Sequence, residues 1–214
     1  SVRPKPSPQI DKKPLDALRD DGIEYIELRS LDINPLLPLG IDRQQVNFLE
    51  SFLLFCLLND SSLITTSEQN EIDNNDNLVA HKGREHGLPL IDNGEQKSLQ
   101  DWGQDLLNKI YLCAKLFGDA HSKDVEEIAK RIKNPSLTPS ALFLKNMRDN
   151  NLGFFDYIDT LSKQNKSKFL LDKIDKSHFI LLDKQAEISL KQLEEIESSD
   201  EISFDEFLKN YFKK

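Results

Sequence analysis

GIEYIELRSLDINP, residues 22–35, is a strand-like run that ends at a proline. Side chains alternate between the two faces of a β-strand, so one face is expected to carry Ile23, Tyr25, Glu27, Arg29 and Leu31. This alternation places a carboxylate and a guanidinium side by side on a sheet. The run therefore predicts a single strand with a carboxylate and a guanidinium on one face.

Two interpretations of the pair Glu27 and Arg29 follow from the residues alone. A carboxylate is a hard oxygen ligand for Mg²⁺, and a guanidinium is a planar, permanently charged fork that binds phosphate oxygens. Such a pair suits a metal-bound phosphate. The alternative is a solvated set of cross-strand charges that contributes little to stability.

A longer segment, GIEYIELRSLDINPLLPLGID at 22–42, resembles the proteobacterial glutamate–cysteine ligase family. Further matches follow in the same order: VRPK at 2–5, QQVNFL at 44–49, the pairs Gly83-Arg84 and Gly87-Leu88, and NPSLT at 134–138. They resemble the C-terminal half of that family, whose enzymes are more than twice as long as these 214 residues. The resemblance, together with a start at Ser1 and a proline-rich opening, predicts the C-terminal portion of a longer polypeptide.

The resemblance implies ATP-dependent formation of an amide between L-glutamate and L-cysteine, through γ-glutamyl phosphate. Glu27 matches the family carboxylate that bridges metal ions on the ATP phosphates, so it is the expected ligand of Mg²⁺ or Mn²⁺. Arg29 matches the arginine that contacts the γ-phosphoryl group, which makes Glu27 and Arg29 the expected catalytic pair. Tyr25 and Arg3 are further candidates for binding the nucleotide. Asp32, on the opposite strand face, is expected to brace the turn that follows.

The same resemblance implies an α+β fold, in which a mostly helical C-terminal portion contributes a strand to an antiparallel sheet like that of glutamine synthetase. Residues 1–41 are expected to form an extended segment and the catalytic strand, and residues 42–214 a helical region of the same domain. One strand cannot bury its own faces. The expected partner is therefore the N-terminal half of the same enzyme, and the chain is expected to be inactive and unstable without it.

Helical patterns dominate after Pro35. Asp42 is the expected N-cap of an apolar helix that packs behind the sheet, and Ser98 with Asp101 forms a capping box for a helix that stops at Gly118. A polar helix is expected to end near Gly83. The helix capped by Asp42 is predicted at 43–58. The remaining helices are predicted at 122–133, 139–149, 153–164, 176–197 and 203–213.

Composition excludes several classes of protein. The net charge of -9 argues against a broad nucleic-acid surface, and no apolar run is long enough for a membrane span. Neither GxxxxGK[ST] nor GxGxxG occurs, and the four histidines do not form a metal-ligand pattern. Cys56 and Cys113 lie in apolar helical runs and are expected to be core thiols of a cytoplasmic protein.

Two alternatives to the glutamate–cysteine activity stay open. Composition alone also permits a non-catalytic helical interaction module, in which the C-terminal helices dock onto a partner and Glu27 and Arg29 form a surface pair. The second alternative is a related ligase that joins glutamate to another amine. It stays open because the family residues that recognise cysteine lie mainly upstream of Ser1.

Overall fold

The computed structural model describes residues 2–7, 12–29 and 31–212. In this part of the chain the fold is mostly helical, with two small antiparallel sheets. The strands are β1 (Val2–Lys5), β2 (Tyr25–Leu28), β3 (Pro89–Asp92) and β4 (Glu95–Ser98). The helices are α1 (Pro14–Asp21), α2 (Arg43–Leu58), α3 (Thr66–Lys82), α4 (Leu99–Phe117), α5 (Asp119–Lys133), α6 (Pro139–Asp149), α7 (Phe154–Leu171), α8 (Lys176–Ser198) and α9 (Phe204–Phe212), with a 3₁₀ turn at Pro135–Leu137.

The first sheet pairs β1 with β2, in the register Val2 to Leu28 and Lys5 to Tyr25. The predicted strand is present but shorter than the run that suggested it. The prediction of one lone strand in residues 1–41 was wrong, because the proline-rich opening provides a partner strand and α1 lies between the two. A proline is tolerated in β1 because this strand has a neighbour on one side only, among the described residues.

The second sheet is a hairpin that the sequence analysis missed. β3 and β4 pair in the register Asp92 to Glu95, joined by Asn93 and Gly94, whose φ angles are 52° and 78°. Asn-Gly at these two positions is typical of a type I′ turn, whose twist matches that of the flanking strands. The dipeptide was therefore a readable signal for a hairpin.

The core lies among α2, α4 and α5. Its buried apolar residues are Leu107, Ile110, Ala114 and Val125, and three phenylalanines of α2, Phe48, Phe52 and Phe55, pack against them. The prediction that α2 packs behind the sheet was wrong, since its main partners are the two helices α4 and α5. Aliphatic and aromatic side chains of these three helices pack against one another and remove apolar surface from water.

Side-chain caps set most of the helix starts, as predicted. The Asp42 carboxylate accepts a hydrogen bond from the Gln45 N–H at 2.8 Å, and the Ser98 hydroxyl accepts one from the Asp101 N–H at 3.0 Å. Gly118 ends α4, and α6 covers the predicted 139–149 after its Thr138 cap. Helix α7 continues seven residues beyond its predicted end at 164, to Leu171, through a Lys/Ser-rich stretch.

The contacts divide the chain into two compact units, residues 1–161 and 162–214. The first contains the core and both sheets. In the second, no described residue is buried, and α8 and α9 expose apolar side chains that include Phe179, Leu182 and Phe204. The predicted division at residue 41 stays a prediction.

Two further properties bear on the class of protein. No helix in the described ranges has the length and apolar character that crossing a membrane requires. Both cysteines are free thiols, but Cys56 is exposed and Cys113 is half-buried, so the prediction that they are core residues was wrong.

Candidate functional site

The β1–β2 sheet has one charged face and one apolar face. Residues opposite each other in an antiparallel pair share a face, so Arg3, Lys5, Tyr25 and Glu27 lie together. The other face carries Val2, Pro4, Ile26 and Leu28. The structure therefore brings the sequence-predicted candidates Arg3, Tyr25 and Glu27 together, with Arg29 one residue beyond the end of β2.

Glu27 is held by two cations. Arg29 donates from Nε to Oε1 at 2.9 Å and from Nη2 to Oε2 at 3.0 Å, which is the two-pronged arrangement of a guanidinium on a carboxylate. The Lys5 ammonium lies 3.0 Å from Oε2. Both oxygens of Glu27 are thus engaged, and all three side chains retain partial solvent access.

These contacts set the charge state of the pair. The Arg29 guanidinium, followed by the Lys5 ammonium, lowers the pKa of Glu27 from 4.5 to about 2. The carboxylate in turn raises the pKa of Arg29. Glu27 is therefore ionised at neutral pH.

The cluster as a whole is positive. Arg3 lies directly opposite Glu27 in the sheet register, and within the described ranges no ion pair involves its guanidinium. Three cations, Arg3, Lys5 and Arg29, against one carboxylate leave two positive charges in excess. An excess of this sign on a partly exposed surface attracts anions such as phosphate.

Tyr25 lies on the same face as Glu27, next to Lys5 across the strands, and half of its surface is exposed. Its ring is available to a ligand on that face. The sequence analysis expected Asp32 to brace the turn after the strand. In the described residues the side chain that braces this turn is Asn34. The Asn34 side chain accepts from the Leu36 N–H at 3.1 Å, and the Asn34 N–H donates to the Gly40 carbonyl at 2.8 Å.

Possible metal ligands do not cluster in the described part of the chain. Over the described ranges, no three His, Cys, Asp or Glu side chains come close enough together to hold a metal ion. The Glu27 carboxylate is the acidic group of the charged sheet face. It has the hard oxygens that Mg²⁺ prefers, but it offers one ligand where that ion takes several.

Sequence reasoning missed the role of Lys5 as the second cation on Glu27. The reason is that β1 was not predicted, so nothing placed Lys5 across from Tyr25. The alternation Arg3-Pro4-Lys5 was the available signal, since residues two apart in a strand share a face.

Comparisons with known proteins show which proteins this chain resembles. The family model described as glutamate–cysteine ligase matches residues 1–79. A glutamate–cysteine ligase of Pseudomonas fluorescens strain Pf-5 is 35% identical over 216 residues, which cover 99% of this chain and 41% of the relative. One from Alcanivorax borkumensis is 33% identical over 217 residues, with the same two coverages.

A solved structure shows the same fold. The crystal structure of glutamate–cysteine ligase from Francisella tularensis in complex with AMP matches with a TM-score of 0.90 and 28% identity, over 99% of this chain and 43% of that one. The proteins that the chain resembles are thus carbon–nitrogen ligases. Within that class, the chain is similar to the glutamate–cysteine ligases, and it spans about 41% of the length of the curated relatives it matches.

Proposed function

We propose that this chain provides part of the active site of an ATP-dependent ligase that joins the γ-carboxylate of L-glutamate to L-cysteine. In the first step a γ-carboxylate oxygen attacks the γ-phosphorus of ATP and ADP leaves. In the second, the cysteine amine attacks the acyl phosphate and phosphate leaves, which gives γ-glutamylcysteine, the first intermediate of glutathione biosynthesis. The observation that carries the proposal is the two-pronged Glu27–Arg29 pair, within the segment that the family model matches.

The charge of the cluster supports a phosphate ligand. Arg29 has a planar fork of donors that suits phosphoryl oxygens, and the unpaired charge of Arg3 on the same face adds to the attraction. Phosphoryl transfer depends on positioning and on neutralising charge more than on covalent help from the protein. In this proposal Arg29 contacts the γ-phosphoryl group, and Arg3 and Tyr25 contribute to binding the nucleotide.

Glu27 fits a metal ion as one ligand among several. Its carboxylate is ionised, partly exposed and adjacent to the proposed phosphate position, but its neighbours are cations. A bound Mg²⁺ or Mn²⁺ would neutralise the charge of the ATP phosphates. Its other ligands would come from those phosphates and from parts of the polypeptide outside this chain. Arg29 and Lys5 keep Glu27 oriented and ionised for that role.

The sheet itself supports a partner. Val2 and Ile26 on its apolar face are 54% and 44% exposed, so this face lacks the cover that a stable sheet needs. We therefore place β1 and β2 in a larger antiparallel sheet of the glutamine-synthetase type, whose other strands come from the N-terminal half of the ligase. A reducing cytoplasm suits the two free thiols, Cys56 and Cys113.

The test is an assay of the full-length ligase for formation of γ-glutamylcysteine that depends on ATP, Mg²⁺ and L-glutamate. Glu27→Gln removes the charge at constant shape and is expected to lower kcat about 100-fold or more, as the loss of a positioned charge typically does. Asp92→Asn is a matched control, because Asp92 also lies on a two-stranded sheet and pairs with a lysine, Lys97. The control is expected to keep normal turnover.

The result also separates the alternatives. Coupling of glutamate to other amines with no preference for cysteine would favour a related ligase with a different acceptor. Absence of any nucleotide-dependent coupling from a folded full-length protein would refute the enzymatic proposal and favour a helical interaction module.

A further inference from the structure

The first unit has a concave surface that does not include the charged sheet face. It is a groove of about 880 Å³ in the first unit, between the 31–37 turn and helices α2, α5, α6 and α7. Its lining is mainly apolar and includes Leu31, Ile33, Phe48, Phe143, Leu144 and Phe154. We refer to this surface as the turn–helix groove.

The rim of the turn–helix groove exposes large apolar side chains. Ile33 is 77% exposed and Phe154 is 68% exposed. The Phe154 ring rests against the buried Phe143, with ring centroids 5.5 Å apart, so it borders the groove and does not fill it. Contiguous exposed apolar surface of this kind usually marks an interaction site.

One wall of the groove carries the guanidinium of Arg131, and the same lining also holds two carboxylates, those of Asp32 and Asp42. Arg131 is half-buried and donates from Nη2 to the amide oxygen of Gln44 at 3.2 Å. Within the described ranges neither of these carboxylates forms an ion pair with the guanidinium, and the Asp42 carboxylate is engaged as the N-cap of α2. A partly desolvated guanidinium is stabilised by a carboxylate on whatever fills the space.

We propose that the turn–helix groove receives an apolar segment from the rest of the ligase polypeptide, and that a carboxylate of this segment pairs with Arg131. This inference rests on the proposed function, since it takes the occupant from the same enzyme. The family polypeptide supplies enough chain, because residues 1–214 span 41% of the curated relatives and 43% of the Francisella structure. A second copy of the chain is a poorer occupant, because two molecules with a net charge of -9 each repel one another.

Seating this segment has a consequence for the catalytic strand. Leu31, in the groove wall, follows Arg29 by two residues and precedes the loop that the Asn34–Gly40 hydrogen bond closes. A segment packed on the turn fixes the chain just after Arg29. The groove is thereby a support for the position of the Glu27–Arg29 pair.

Site-specific photo-cross-linking in the full-length ligase tests the proposal. A photoreactive p-benzoylphenylalanine in place of Phe154 keeps the aromatic ring at the rim, and the same replacement at Phe155 is the matched control. Phe155 is the next residue of α7, is 79% exposed and does not line the groove. The expected result is an intramolecular cross-link from position 154 to the polypeptide upstream of Ser1, identified by mass spectrometry, with a weaker or different product from position 155.

The other outcomes overturn the proposal. A cross-link between two polypeptides would identify a second copy as the occupant, and products confined to residues 1–214 would show an open groove. The readout needs no turnover, so it is independent of the ligase assay: loss of coupling with an intact cross-link would refute the proposed function alone. As a second measurement, Arg131→Gln is expected to lower the Tm of the full-length protein more than Arg131→Lys does, and equal effects would refute the carboxylate.

Discussion

Replacing Arg29 by lysine tests whether the geometry of the guanidinium, beyond its charge, serves the reaction. In the structure Arg29 makes two parallel contacts to Glu27, at 2.9 Å and 3.0 Å. A lysine ammonium keeps the positive charge but is a single point on a flexible stem, so Arg29→Lys forfeits the planar fork. The same loss applies to a phosphoryl group, whose oxygens the fork is expected to grip in the transition state.

The size of the effect follows from what each substitution removes. Arg29→Ala removes both contacts and the charge, and loss of one positioned donor of this kind typically costs about 100- to 1,000-fold in kcat. Arg29→Lys keeps the charge and one contact, so about 10- to 100-fold is expected on the same scale. The effect should fall on kcat more than on the KM for ATP, because the interaction strengthens as the phosphoryl group transfers.

The assay is ADP release by the full-length ligase at saturating L-glutamate and L-cysteine, over a range of ATP concentrations. Arg19→Lys is the matched control. Arg19 also makes two contacts to carboxylate oxygens, one to Asp16 and one to Asp20, but it lies on α1. Turnover of Arg29→Lys within a factor of about two of the native rate would refute the role assigned to the fork. A similar loss in Arg19→Lys would show that the effect is not specific to the site.

Two further predictions concern the supports of the site. Gly40→Ala is expected to destabilise the full-length protein by about 1–2 kcal/mol, because a left-handed backbone disfavours a side chain. The φ of Gly40 is +75°, and a Cβ added there would lie 2.6 Å from Ile33 Cγ2. Gly87→Ala is the control, because Gly87 has a φ of +71° but open space around it. Both variants are measured by thermal unfolding, and an equal or larger loss of stability in Gly87→Ala would show that the Ile33 contact does not contribute. The second prediction is a pH dependence: since the pKa of Glu27 is lowered from 4.5 to about 2, its ion pairs stabilise the folded state fully above pH 4.5, and this contribution is lost as the pH falls toward 2. The difference in Tm between the native protein and Glu27→Gln should therefore shrink across that window, whereas a constant difference would contradict the assigned cause.

Local chemistry explains why so much of the helical fold was predictable. The carboxylate of Asp42 and the hydroxyls of Ser98 and Thr138 accept hydrogen bonds from N–H groups two or three residues into their own helices, which is an interaction within a few residues of sequence. The strand that carries Glu27 was likewise readable from alternation, and the neighbourhood of Glu27 and Arg29 follows from the same period of two.

Pairing between distant segments was not predictable in the same way. Strand β1 is four residues long and contains a proline, so its own sequence is a weak strand signal, and its pairing with β2 depends on α1 folding the chain back. Consequently the contact between Lys5 and Glu27, which helps to lower the pKa of that carboxyl, had no local signature.

The sequence by itself therefore determined the N-caps of α2, α4 and α6, the strand that carries Glu27, and the resemblance to glutamate–cysteine ligases, because each depends on residues close together or on a motif read in order. Only the tertiary structure decided that α2 packs on α4 and α5, that Lys5 is the second cation on Glu27, and that the turn–helix groove exists beside Arg131. The physical reason is that burial and ion pairing depend on which surfaces meet in space, and in this chain those surfaces lie tens of residues apart.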